Sequence, residues 1–172
     1  SEWKITVQGL LDGKEIPFAD ADAQTEIEKY REFFADTMNG FKLAQNGAAT
    51  EELKKINALA WWYTHNMLVH YSVPHGLEQY GGAAWGTRDV CQGPTEYFIA
   101  TQKYENVKDI IKTVYSHQYS DDGNWPQWFM FDNYYRFQQE ESHGDIIVWP
   151  LKVIVEYLRA TNDYTILNEM LP

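Results

Sequence analysis

The run from Leu59 to Val69 is apolar nearly all round, with Trp61, Trp62 and Tyr63 in succession. A helix of that kind is expected to be buried on several sides, as an inner helix of a multi-helix array, instead of lying on a surface. Thr50, followed by Glu51 and Glu52, starts it with the hydroxyl and negative charge that open N-terminal amides favour. Amphipathic helices follow. Val107, Ile110, Ile111 and Val114 fall on one stripe, and Leu151, Ile154, Tyr157 and Leu158 on another, with Pro150 in a first turn where a missing amide costs little. Thr161-Asn162-Asp163 reads as a turn, and Tyr164 to Leu171 as the start of a further helix. From Thr50 onward, long loops rich in Gly, Trp and polar groups alternate with short plain ones. That alternation suggests stacked helical hairpins whose long loops share one functional face.

The first residues read differently. Trp3, Ile5 and Val7 alternate with Lys4, Thr6 and Gln8 ahead of an Asp12-Gly13 turn, the pattern of a strand entering a hairpin. A two-stranded ribbon is marginal alone, so this hairpin is expected to be the end of a larger β-domain or to pack on helices. Thr25 and Glu28 match a capping box, and Ile27, Tyr30, Phe34 and Met38 then recur at helical spacing until Gly40, a connecting helix.

Charge narrows the partners. The 172 residues carry 14 Lys plus Arg against 25 Asp plus Glu, a formal charge of −11, which repels phosphate backbones and anionic lipid. Neither nucleic acid nor a membrane surface is expected as a partner. No stretch reaches the roughly 18 apolar residues of a membrane span, and no signal-peptide pattern opens the chain. The single cysteine, Cys91, rules out an internal disulfide and fits a reducing compartment, so a cytoplasmic location is expected.

Two polar segments concentrate chemistry. Tyr80 to Gln92 holds Gly81, Gly82 and Gly86, Trp85, the pair Arg88-Asp89, and Gln92. A planar guanidinium and a carboxylate present donors and acceptors at fixed angles, which suits vicinal sugar hydroxyls. A structural ion-pair network is the bland alternative, although neighbours on an extended loop point apart. Pro94 leaves the start of the next helix open, and either start keeps Asp89 near its N-terminal end. The second segment, Glu140 to Asp145, feeds the apolar run Ile146 to Trp149, so Asp145 would sit half in an apolar wall. Desolvation would raise its pKa, as a general acid requires. An ordinary helix N-cap would lower it, so the two readings make opposite predictions.

Other candidates are weaker. Asp121 to Trp128 reads as a turn followed by a hydrophobic anchor, or as a loop offering Trp128 as a stacking platform with Gln127 on a hydroxyl. His65, His70 and His75 are spaced by five, which spreads them around a helix, so no metal site is expected. Cys91 has no spaced His and Asn companions and reads as a buried small residue. Phosphate-loop and dinucleotide fingerprints are absent.

Taken together, Gly86 to Gln92, the Asp122-Gly123-Asn124 loop with Trp128, and Asp145 to Pro150 running on through Tyr164-Thr165-Ile166-Leu167 resemble the inverting phosphorylases of glycoside hydrolase family 94. Within that family, the residues ahead of the first motif look closer to the long oligoglucan phosphorylases than to cellobiose phosphorylase. The similarity covers roughly residues 50 to 172. It departs from the family at Gly144, where a second carboxylate is often found, and at Thr87, where an aromatic is common. The resemblance implies a mainly α chain forming part of an (α/α)6 barrel, with residues 1–19 the end of a β-sandwich-like region, 20–48 a linker helix, and 49–172 the first half of the barrel. By the same resemblance Asp145 is the general acid, Arg88 and Asp89 hold the sugar whose bond is broken, and Gln92, Trp128 and His143 line the same pocket. The implied partners are a β-linked oligosaccharide, inorganic phosphate as co-substrate and the remaining half of the barrel beyond Pro172, with no cofactor or metal. A homodimer is compatible with this reading.

The chemistry agrees with the carboxylate count. Inverting hydrolysis needs an acid and a second carboxylate about 6.5–9.5 Å away to activate water, whereas phosphate is already an anionic nucleophile and needs only the acid. The rival expectations are an inverting hydrolase with Glu78, Glu140 or Glu141 as base, and a non-catalytic carbohydrate-binding domain in which Asp145 is a cap. Phosphate-binding donors are not clustered in this acidic chain, and the resemblance implies that they lie beyond Pro172.

Overall fold

The computed structural model describes residues 22–71 and 84–171, together with Trp3, Ile5 and Val7. The N-terminal hairpin with its Asp12-Gly13 turn, and the positions Gly81, Gly82, His75 and Glu78, therefore lie outside the described residues. The chain divides into two units, residues 1–33 and 34–172.

In the first unit, helix α1 (Ala23–Thr37, which continues into the second) starts on Asp22, not on Thr25. The Asp22 carboxylate accepts from the Thr25 amide at 2.9 Å and from its hydroxyl at 2.8 Å. A carboxylate three residues ahead competes better for that amide than a hydroxyl already inside the first turn, so the expected Thr25–Glu28 capping box does not form. Tyr30 and Phe33 make a tilted ring contact at 6.4 Å.

Among its described residues, the regular structure of the second unit is helical apart from one short antiparallel pair. Helix α1 closes there as expected at Gly40, whose amide reaches back to the carbonyl of Ala35 at 3.0 Å while Asn39 and Gly40 take positive φ. Helix α2 (Glu51–Tyr71) is capped by Thr50 as expected, the Leu53 amide lying 3.3 Å from its hydroxyl. Strand β1 (Ala84–Gly86) pairs with β2 (Trp128–Met130) in the register Ala84 to Met130, Trp85 to Phe129 and Gly86 to Trp128. Helix α3 (Thr87–Ala100) packs against α2, α4 (Tyr104–Tyr115) and α5 (Val148–Thr161), and α4 packs on α5. Among the described residues no helix is long and apolar enough to cross a membrane.

The core grows from these faces. Val107, Ile110, Ile111 and Val114 are all buried, as their spacing predicts, against Val90, Cys91 and Phe98 of α3 and Val153 and Tyr157 of α5. Trp125 anchors the loop after α4, fully buried with its indole N–H donating to the Val114 carbonyl at 3.1 Å. Ahead of it the chain turns at Gly123, whose φ of +74° suits a residue without Cβ. The free thiol of Cys91 is buried and pushed up to about 12 by desolvation, which makes it the inert residue expected.

Three expectations are corrected. Helix α2 buries one face, Thr64, Met67 and Leu68, while Leu59, Trp62 and Tyr63 are more than half exposed. On α5 the buried stripe is Pro150, Val153 and Tyr157, with Ile154 and Leu158 half-buried and Leu151 exposed. The segment after Asp163 is a short 3-10 turn, Tyr164–Asn168, because the Asp163 carboxylate takes both the amide and hydroxyl of Thr165. The Thr161-Asn162-Asp163 turn forms as expected, with Asn162 at φ 56° receiving the end of α5.

Candidate functional site

Helix α3 begins at Thr87, well before Pro94, because its first amide has a partner. The Thr87 amide donates to the Gln127 carbonyl at 3.0 Å, and its buried hydroxyl donates to the Pro126 carbonyl at 2.6 Å. Arg88 and Asp89 therefore sit in the first turn of a helix, not on an extended loop, and diverge because successive residues point about 100° apart. Gly86, ahead of them, adopts φ −70° and ψ 123°, which any residue can take, so no sharp glycine turn is needed there. Pro94 lies inside the helix. Its missing amide would orphan the Val90 carbonyl, and the buried Thr95 hydroxyl bonds that carbonyl at 3.0 Å.

Gln127 ties the second segment to the first. Its side-chain oxygen accepts from the His143 amide at 3.0 Å, while its own amide donates to the Gln139 carbonyl at 2.8 Å. The chain then turns through Gly144 and Asp145 into α5, with the Val148 amide bonded to the Asp145 carbonyl at 3.0 Å. Arg88 and Asp145, 57 residues apart, meet here: Nη1 lies 3.2 Å from Oδ2. The same oxygen accepts from the Trp149 indole N–H at 3.1 Å.

Asp145 is not the cap of α5. Ile147 occupies that position without a side-chain bond, and the Asp145 carboxylate faces the indole and the guanidinium. The Trp149 hydrogen bond, followed by the bond and charge of Arg88, outweighs desolvation and holds the carboxyl below its ordinary value. This direction is opposite to the one expected for an acid raised by an apolar wall. The side chain is 46% exposed, so desolvation is too weak to win.

The remaining candidates fall elsewhere. Asp89 and Gln92 line a cleft of about 420 Å³ between α2 and α3, with Tyr63, Asn66, His70 and Tyr97 along its walls. Arg88, Trp128, His143 and Asp145 are not part of that cleft's lining. Trp128 is half-buried on β2 beside Gly86, and its carbonyl accepts from the Gln139 amide at 3.0 Å. Gln127, expected on a sugar hydroxyl in one reading of its loop, is engaged in holding His143. Trp149 is a functional candidate that the sequence patterns above do not mark, and its i, i+4 spacing from Asp145 is the signal that could reveal it.

No family model matches the chain. It is 50% identical, over 163 residues or 95% of its length, to a 1,2-beta-oligoglucan phosphorylase of Listeria innocua serovar 6a, and it spans about 14% of that relative's length. The identity supports a relationship to phosphorylases of the family 94 type.

Proposed function

We propose that this chain is part of an inverting β-glucan phosphorylase that cleaves β-1,2-oligoglucan with inorganic phosphate to give α-glucose 1-phosphate. Within it, residues 1–19 end a β-sandwich-like region, 20–48 form a linker helix, and 49–172 supply the first half of an (α/α)6 barrel. The reading is supported by the identity to the Listeria phosphorylase and, above all, by the contact between Arg88 and Asp145. It pairs a carboxyl group with a sugar-binding guanidinium across two distant segments.

In this reading Asp145 protonates the glycosidic oxygen as phosphate attacks the anomeric carbon from the opposite face. The carbon–oxygen bond breaks, its electron pair stays on the leaving oxygen, and the configuration inverts. Arg88 holds the sugar whose bond breaks, with Trp128 and His143 beside it, and Asp89 and Gln92 contact the oligosaccharide from the cleft between α2 and α3. The acid must carry its proton when substrate is bound. Sugar that displaces water and a phosphate that adds negative charge both push a carboxyl upward, against the donors that depress it in the free chain.

The test is phosphorolysis by the complete natural protein on β-1,2-, β-1,3- and β-1,4-glucans, read as glucose 1-phosphate. Sugar phosphate formed from the β-1,2 polymer only when phosphate is supplied is the expected result. Glucose released without phosphate would establish a hydrolase instead.

A further inference from the structure

Both donors to Asp145 converge on one oxygen. Trp149 Nε1 at 3.1 Å and Arg88 Nη1 at 3.2 Å each point to Oδ2, whereas Oδ1 makes no hydrogen bond to another described residue. Trp149 reaches the carboxylate from the first turn of α5, directly after the turn that carries Asp145, and Arg88 reaches it from α3. Among the described residues Arg88 is the charged group that acts on Asp145 from another element.

We infer that Trp149 is a positioning residue: with Arg88 it fixes Oδ2 of Asp145 as the oxygen that keeps its donors throughout, and leaves Oδ1 to carry and deliver the proton. This rests on Asp145 being the general acid proposed above. An oxygen accepting two N–H bonds has no room to hold a proton that must leave toward substrate, so the protonated carboxyl carries its hydrogen on Oδ1. When that proton passes to the glycosidic oxygen, negative charge spreads over both carboxylate oxygens. The donors already aimed at Oδ2 stabilise it without reorganising. Trp149 thus makes the acid stronger and fixes the carboxyl plane, so that Oδ1 faces the bond to be broken. The half-buried indole, packed against the hydrophobic core, is rigid enough to do this.

The experiment uses the complete natural protein with β-1,2-glucan and phosphate, comparing Trp149→Phe, replacement of Trp149 by β-(3-benzothienyl)alanine, and Asp145→Asn. The benzothienyl ring keeps the shape of indole and lacks its N–H, so loss of packing is separated from loss of the hydrogen bond. The expected result for the benzothienyl protein is a kcat lower by roughly tenfold, the order for losing a hydrogen bond to a charged group. Its KM should stay within about twofold. The alkaline limb of its kcat profile should move to higher pH, because a donor favouring the ionised form is gone. A benzothienyl protein with unchanged kcat and limb overturns the inference, as does one in which KM rises while the limb stays in place. If Asp145→Asn loses several orders of magnitude in either case, the function proposed above stands by itself. If it retains turnover, that reading fails and the role of Trp149 with it.

Discussion

The hydroxyl of Thr95 stands 3.0 Å from the carbonyl of Val90, in the place where Pro94 has removed an amide from the middle of α3. Both Thr95 and Pro94 are buried, so water cannot serve that carbonyl instead. The helix continues past a proline because the next residue supplies the missing donor. A Thr95→Val substitution keeps the shape and removes the donor. It should lower stability by about 1–3 kcal/mol, the cost of a buried polar group left unpaired. Thermal or denaturant unfolding measures it, and a change within about 0.5 kcal/mol, as for an ordinary surface substitution, would remove this role from Thr95.

For Asp145 as the general acid proposed above, a pKa below the ordinary carboxyl value has a kinetic consequence. A general acid works while protonated, so activity falls as pH rises through its pKa, giving an alkaline limb. The limb of kcat/KM reports the free protein, where Trp149 and Arg88 favour the carboxylate, and that of kcat reports the bound complex, where phosphate and loss of water oppose them. The kcat limb is therefore expected at higher pH than the kcat/KM limb. Paired pH profiles on the complete protein decide it, and coincident limbs would mean that substrate does not retune the carboxyl.

How much of this could be read beforehand depended on whether a local pattern had competitors. The stripe Val107, Ile110, Ile111 and Val114 had none, and every member is buried. Leu59 to Val69 gave no face to choose, and its exposed rings depend on what packs there, which spacing does not encode. Thr25 lost its cap role to Asp22 because two adjacent signals competed for one amide. Residue types, together with the resemblance to family 94, bring Arg88 and Asp145 forward together. Their divergence from Asp89 and Gln92 followed from a helix that begins at Thr87, and that start is set by Gln127 and Pro126, some 40 residues away along the chain. Pairings of that range leave no periodic trace in sequence.

Gln127 offers a direct test of that long-range assembly. Its side-chain oxygen holds the His143 amide at 3.0 Å while its carbonyl receives the Thr87 amide at 3.0 Å, so one residue sets the spacing of both segments. Gln127→Leu preserves the backbone bond to Thr87 and deletes the one to His143. The expected outcome is a modest stability loss, about 0.5–1.5 kcal/mol, with a larger fall in kcat than in binding. In the proposed mechanism, the loss of this bond lets the segment that carries Asp145 shift relative to the sugar. Equal effects on kcat and KM with no change in stability would assign Gln127 to contact with substrate.

His117 makes the stability of this unit sensitive to acid. Its ring stacks on the fully buried Phe129 at 3.8 Å between centroids, and Nδ1 lies 2.8 Å from the Thr113 carbonyl, so Nδ1 carries the hydrogen of the neutral ring. Burial lowers its pKa, with the bond to Thr113 opposing. Protons therefore bind the unfolded chain more readily than the folded one between the folded pKa and about 6.5, the ordinary histidine value. The contribution of the neutral ring is complete above that upper bound and is lost as pH falls below it, levelling off once the folded protein also takes up the proton. His117→Gln should be less stable at neutral pH through the lost stacking, yet it should flatten the pH dependence through this window. Unfolding followed from pH 7.5 down to 5 reads the slope. If the variant and the parent chain lose stability in parallel, another group is responsible.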